Sequence, residues 1–267
     1  MIPLLVAIFF ILGLIIGSFL NVVILRLNTQ RSFGGRSGCM SCQNKLQWFE
    51  LIPVLSFLGL MGRCRNCKSQ ISFQYPLVEL STGIIFALLF FKFQDVFFTS
   101  TSAFSVTYAY YALMFSLLIV IATYDLKHKI IPDILALTFG TLAFFGLFLF
   151  SGNNFIGLHV PSVLEFMSGV FIALPFAFFW LISSGRWMGL GDAKLAIGIG
   201  WLLGISLALS GLVVAFWSGA IIGLALVVLS RNNKMKKMGM KSEIPFAPFL
   251  VFGAFLAFIL GFNFFGI

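Results

Sequence analysis

Four cysteines and two aspartates are the residues of this chain whose types and spacing suit chemistry. The cysteines stand as Cys39-Met40-Ser41-Cys42 and Cys64-Arg65-Asn66-Cys67, with 21 residues between the pairs. Two such knuckles suit a tetrahedral zinc site, because each tight turn aims two thiolates at one point. Four thiolates fill the coordination sphere and leave no position for a reacting water, so a metal held there is structural. A redox pair or four unbound structural thiols are the alternatives. Asp125 follows Ala122-Thr123-Tyr124 at the end of one apolar run, and Asp192 closes Gly189-Leu190-Gly191-Asp192 at the start of another. Ionisable groups at a membrane border are costly and tend to be functional. Two carboxylates that share a proton can activate a water and protonate a leaving amide nitrogen, which is aspartic-protease chemistry. Gly189 and Gly191 let the backbone approach a substrate strand closely. The structural alternative for each aspartate is a helix cap, or an ion pair with Lys127, Lys129 or Lys194. Other hydrolytic chemistries fit poorly: the chain has no HExxH and no GxSxG, His128 has no evident serine or cysteine nucleophile beside it, and His159 belongs to the outer loop.

The elements that carry these residues follow from composition. With 60% hydrophobic, 17% aromatic and 9% charged residues over 267 positions, no water-soluble core could hide the apolar surface. Lipid must be the solvent. Apolar runs long enough to cross the hydrocarbon layer predict an all-α polytopic membrane protein with about eight spans: 4–25, 76–97, 104–124, 131–151, 163–184, 193–208, 210–230 and 246–265. The division between the sixth and seventh is expected near Leu209 to Gly211. The first run lacks a basic segment before it and a small-residue cleavage site after it, so it reads as a retained span. Placing the loops 26–75, 125–130, 185–192 and 231–244 on one side gathers every one of the 17 basic residues except Lys92, counting Lys194 at the edge. The positive-inside rule makes that side cytoplasmic and puts both termini outside. The net charge of +9 thus reads as a topology signal and a fit to anionic membrane lipid rather than to nucleic acid.

Three divisions result: a first span at 1–26, a polar and basic cytoplasmic insert at 27–75, and a membrane core at 76–267. The insert holds all four cysteines. A domain this small needs a metal or disulfides to stay folded, and the reducing cytoplasm argues for metal. No internal repeat is evident. Glu79, one turn inside the second span, is a costly carboxylate whose readings stay open: contact with the substrate amine or a methyl donor, or a hydrogen bond tying the helix to the insert. Asp133 after Ile131-Pro132 favours a structural role at a helix start. Lys234, Lys236, Lys237 and Lys241 read as a solvated loop facing lipid.

Taken in order, the motifs resemble those of the type IV prepilin peptidases over nearly the whole chain. They are Gly17-Ser18-Phe19-Leu20-Asn21-Val22-Val23, the two CxxC knuckles with Ile52-Pro53-Val54-Leu55-Ser56 between them, and Tyr75-Pro76-Leu77-Val78-Glu79-Leu80. Asp125 with Ile131-Pro132-Asp133, Gly189-Leu190-Gly191-Asp192-Ala193-Lys194-Leu195 and Ile244-Pro245-Phe246 complete the set. The resemblance implies an intramembrane aspartic protease of the GxGD type in the bacterial inner membrane, with Asp125 and Asp192 as the catalytic pair. It implies prepilins or pseudopilins as substrates, their short basic leader being cut after a glycine at the inner face. It also implies methylation of the new amino terminus with S-adenosylmethionine as co-substrate. Composition and spacing carry nothing of that second activity.

Three departures from the family pattern are Met40 inside the first knuckle, Phe49-Glu50-Leu51 before Ile52, and Ala247 where glycine is common. None is expected to touch the aspartates or the cysteines. Competing readings are a leader peptidase without methyl transfer, a non-catalytic assembly scaffold, and a transporter with a regulatory zinc insert. A transporter would place polar groups near the midplane, whereas these acids gather at one edge.

Overall fold

The computed structural model describes residues 2–29, 34–150, 157, 160–186, 188–232, 244–264 and 266. The expectations for His159, Lys234, Lys236, Lys237 and Lys241 fall outside the described residues. The described residues form α-helices with no β-strand among them, in two compact units, 1–120 and 121–267.

The first unit contains α1 (Ile2–Arg26), the short α2 (Leu55–Gly59), α3 (Gln74–Lys92), α4 (Gln94–Thr99) and most of α5 (Thr101–His128). Two glycines one turn apart on α1 decide how it meets α3. A Cβ on Gly13 would sit 2.7 Å from the Thr82 carbonyl oxygen, and one on Gly17 would sit 2.8 Å from Glu79 Cα. Where lipid removes any hydrophobic drive for helices to associate, such close backbone approach supplies the dispersion contacts that hold them. Above that crossing the aromatic content is put to use. Phe9 stacks on Phe90 at 4.6 Å and meets Phe104 and Tyr108, whose hydroxyl donates to the Phe86 carbonyl at 3.1 Å.

The second unit holds the end of α5, α6 (Asp133–Leu149), α7 (Val163–Ser183), α8 (Leu190–Asn232) and α9 (Ala247–Leu260). Pro132 stands just before α6, and Ser162 with Glu165 forms a capping box that starts α7. The long α8 packs against α6, α7 and α9. Its contacts are again made at glycines: Gly198 admits the Phe139 ring, Gly200 lies against Gly169, and Gly211 lies against Gly253.

The break expected near Leu209 to Gly211 is instead at Gly204, where φ is 75° and ψ is 169°. Only glycine occupies that region without strain, so the residue type sets the position of the break. The chain doubles back there. Trp201 Nε1 donates to the Phe166 carbonyl near the start of α7, whereas Phe216 stacks on Phe176 in its middle. Likewise Gly219 faces Phe249 at the beginning of α9, while Ser210 Oγ accepts from the Phe264 N–H beyond its end.

Among the described residues, five helices are long and apolar enough to cross a membrane: Ile2–Arg26, Gln74–Lys92, Thr101–His128, Val163–Ser183 and Leu190–Leu229. The apolar helices Asp133–Leu149 and Ala247–Leu260 are shorter. With α8 divided at Gly204, each of the eight expected spans has a helical counterpart. The second stops at Lys92 rather than running to 97, with α4 beginning at Gln94, and the eighth stops at Leu260 rather than 265.

Candidate active site and metal centre

The four cysteine thiols, on two knuckles far apart in sequence, converge so that all four sulfurs lie within 4.8 Å of one another. Cys39 Sγ and Cys67 Sγ are 3.8 Å apart, too far for a disulfide. That separation equals the edge of a tetrahedron with metal–sulfur distances of about 2.3 Å. The residues therefore fit a tetrathiolate metal.

The two knuckles share one conformation although only their cysteine spacing is common to the two sequences. In the first, the Cys39 N–H donates to the Asn44 carbonyl and the Gln43 N–H to the Cys39 carbonyl. In the second, the Cys64 N–H donates to Ser69 and the Lys68 N–H to Cys64 in the same pattern. Gln43 and Lys68, equivalent in the two turns, have φ of 56° and 58°. Isolated antiparallel bridges, Gly38 with Lys45 and Arg63 with Gln70, close each turn. Backbone N–H groups of Cys42 and Ser41 lower the Cys39 thiol from 9.0 to about 6. The Ser69 hydroxyl, 3.1 Å away, lowers the Cys67 thiol in the same direction. These two are held toward thiolate, the form that binds metal, while burial and the neighbouring sulfurs push the Cys42 thiol up to about 11.

Glu79 is buried on α3, and its Oε2 accepts the Val54 N–H at 2.8 Å. Ser18 on α1 hydrogen-bonds the same carboxylate. Asn21, also buried, donates from Nδ2 to the Tyr75 carbonyl at 3.1 Å. These contacts fasten the Ile52-Pro53-Val54 turn to the paired ends of α1 and α3.

In the second unit, Asp125 lies in the last turn of α5 and Asp192 in the first turn of α8, and both are buried. The fold brings them close enough that the charge of Asp125 acts on Asp192. Each carboxylate also receives one backbone N–H from the start of a helix. Gly189 supplies it to Asp192, and Ala247, the first residue of α9, supplies it to Asp125 Oδ2 at 3.3 Å. The expectation that Ala247 lies away from the aspartates is therefore corrected. Its backbone, rather than its side chain, makes the contact, and Pro245 and Pro248 bracket the short segment that carries it. Proximity of residue 247 to residue 125 could not be read from the motif Ile244-Pro245-Phe246.

Gly191 sits against Ile131, where a Cβ would meet the Ile131 Cβ at 2.9 Å, so the residue before Asp192 packs directly on the Ile131-Pro132 segment. Gly189 has Asp192 Oδ2 as its nearest side-chain neighbour, at 3.8 Å from an added Cβ. Asp133 is exposed, opens α6 and pairs with Lys194 at 2.6 Å. It and Lys194 thus satisfy each other at the surface, where such a pair contributes about 0–1 kcal/mol.

Residues 11–93 match the bacterial peptidase A24 N-terminal domain, and residues 112–228 match the type IV leader peptidase family. A Bacillus subtilis protein named prepilin leader peptidase/N-methyltransferase is 32% identical over 258 residues, covering 96% of this chain and 94% of its own. One of the same name from Aeromonas salmonicida is 32% identical over 291 residues, covering 94% and 89%. The Myxococcus xanthus relative is 35% identical over 231 residues, covering 85% of this chain but 64% of its own length. No solved structure matches the chain significantly. With two buried carboxylates at helix ends and relatives from Bacillus subtilis and Aeromonas salmonicida alike over most of their length, the chain belongs to the type IV leader peptidase family.

Proposed function

We propose that this chain is an intramembrane aspartic endopeptidase that removes the leader peptide of type IV prepilins or pseudopilins, with Asp125 and Asp192 as its catalytic pair. The observation that carries the reading is the pairing of two buried carboxylates, from a helix end and a helix start, each holding one backbone N–H. One carboxyl keeps a proton and the other is ionised, because two like charges near enough to act on each other resist simultaneous ionisation. The ionised partner takes a proton from water as it attacks the scissile carbonyl, and the protonated partner hydrogen-bonds the carbonyl oxygen. The proton taken from water then goes to the leaving amide nitrogen, which completes hydrolysis with both carboxyls ready for another turn. Gly189, uncrowded beside Asp192, leaves room for an extended substrate backbone, whereas Gly191 lets the start of α8 pack on Ile131. The site works at the cytoplasmic end of the spans, where water reaches it. The substrate's apolar helix enters laterally from lipid while its leader stays outside the bilayer.

The chain lies in the bacterial inner membrane with its insert, residues 27–75, in the cytoplasm and both termini outside. Cys39, Cys42, Cys64 and Cys67 hold a structural Zn2+, which supplies folding energy to the insert and no reacting group. The membrane core, 76–267, carries the peptidase. Relatives named as N-methyltransferases support a second step, methylation of the new amino terminus with S-adenosylmethionine as co-substrate.

The test is co-expression with a prepilin, reading cleavage as a mobility shift and methylation as a mass increase of one methyl group. Wild type cleaves, while Asp125→Asn and Asp192→Asn do not. Cleavage by either variant at the wild-type rate sinks the catalytic assignment. Cleavage without the methyl mass leaves a peptidase alone.

A further inference from the structure

Outside the membrane helices, the segment between the cysteine knuckles exposes an unusual amount of apolar surface for so small a unit. Trp48 is 75% exposed, Leu55 66%, Leu58 65% and Met61 86%, with Leu51 and Ile52 exposed beside them. Phe49, Ile52, Leu55 and Leu60 line a common cavity of about 260 Å³, so the 3₁₀ turn Trp48–Leu51 and α2 form one apolar edge. Left in water, such an edge on a domain held together chiefly by four thiols would be a liability.

We propose that this edge is a membrane-surface anchor, seated in the anionic headgroup layer of the bilayer that α1 and α3 cross. Three observations select lipid as the occupant.

The first is depth. The Val54 N–H is fastened at 2.8 Å to Glu79, which lies five residues into α3. Five residues amount to about 7.5 Å of helix, comparable to the thickness of one interfacial layer. The turn bearing Leu55 and Leu58 is thus held alongside the end of a membrane-crossing helix. It is not free to rise into the cytoplasm.

The second is strain. Val54 has φ 62° and ψ −49°, and the Leu55 N–H donates to the Pro53 carbonyl at 2.6 Å, a γ-turn in the left-handed region. A β-branched residue is an outlier there and persists only where its surroundings hold it. The Glu79 carboxylate is what holds it, so the position of the apolar edge is imposed by the fold.

The third is charge. Between positions 27 and 75 the chain has Arg31, Arg36, Lys45, Arg63, Arg65 and Lys68 against the single acid Glu50. A metal-bound tetrathiolate carries two negative charges and still leaves the insert positive. Arg65 stands over the Phe49 ring at 5.5 Å, which sets a cation beside the apolar edge. Amphipathic surfaces of this kind, with tryptophan at the boundary and basic residues flanking it, bind anionic lipid surfaces. The same charge repels a basic peptide, so the leader of a prepilin is not the occupant.

The test uses the full chain in nanodiscs of phosphatidylglycerol with phosphatidylcholine, and in phosphatidylcholine alone. The Trp48 fluorescence is taken as the difference between wild type and Trp48→Phe. Lipids brominated near the headgroup quench most of that emission in the anionic discs and less of it in the neutral ones, while aqueous acrylamide quenches little. The triple variant Leu55→Ser/Leu58→Ser/Met61→Ser alters only exposed positions, and in it the acrylamide quenching of Trp48 rises several-fold with metal content unchanged. Quenching by acrylamide and not by lipid in wild type overturns the proposal. So does shielding of Trp48 from both, which assigns the edge to a protein partner. Equal lipid quenching in the two kinds of disc overturns the part assigned to charge.

Discussion

The Ala247 N–H donates to Asp125 Oδ2 across 122 positions of sequence, joining the first residue of α9 to the last turn of α5. A hydrogen bond to a buried carboxylate contributes about 1.5–3 kcal/mol. Removing the donor should therefore cost roughly 10- to 100-fold in cleavage. Ala247→Pro lacks the N–H, while Ala247→Gly keeps it. Because proline also constrains the residue before it, the thermal stability of both variants is measured beside the cleavage rate and its pH profile. Ala247→Gly is expected within a few-fold of wild type and Ala247→Pro far below it with a displaced pH profile. Equal activity of the two would show that the contact is incidental.

Groups that act as a unit give non-additive losses. If Asp125 and Asp192 share one proton, Asp125→Asn/Asp192→Asn is no worse than either single variant. Single-turnover cleavage of a prepilin in detergent reads this directly. Losses that multiply would mean that the two carboxylates act independently.

Metal binding should fall as acid is added. The Cys39 thiol is lowered to about 6, so it is thiolate above that pH and protonated below it. The stability carried by this depressed thiol is full above its ordinary value of 9.0 and is lost as pH falls through about 6. Zinc release followed with a chromogenic chelator is expected to steepen below about pH 6. Cys67→Ser, which removes one ligand, moves release to higher pH and exposes the insert to protease while leaving the helices of the second unit protected.

Glu79 offers a carboxylate oxygen to the Val54 N–H, and glutamine can make the same contact. Glu79→Gln is expected to retain metal, cleavage and resistance of the insert to protease. Glu79→Ala strands a buried N–H, at about 1–3 kcal/mol, and loosens the insert. Loss of methylation in Glu79→Gln with an intact insert would instead favour a chemical role for the charge.

Gly204 has open space around a hypothetical Cβ, so replacing it tests backbone strain alone. At φ 75° and ψ 169°, Gly204→Ala should destabilise by about 1–3 kcal/mol. Gly140 is also open but helical, and Gly140→Ala should be neutral or stabilise by about 0.5–1 kcal/mol. Thermal unfolding in one detergent compares the two, and equal stabilities would remove the strain assigned to the turn.

Much of this protein was legible in the chain because the signals are local. An apolar run declares a helix in lipid whatever its neighbours do, and basic residues declare a side of the membrane. The spacing within Cys39-Met40-Ser41-Cys42 already fixes a turn that aims two thiolates together. The positions of Asp125 and Asp192 at helix ends follow from where the apolar runs stop. Other features depend on which backbones approach one another. The break in α8 was expected at a serine and glycine near position 210, but it lies at Gly204, because the return leg must lay Gly211 on Gly253. Ala247 reads in sequence as a small substitution in a proline-rich stretch, and only packing turns its N–H toward Asp125. Val54 is an ordinary strand-forming residue until Glu79 draws its N–H into a strained turn. Hydropathy acts residue by residue and knuckle spacing acts within one turn, so sequence alone determined the helices and the thiolate turns. Close backbone contacts involve several distant segments at once, and tertiary structure alone decided which donor each buried carboxylate receives.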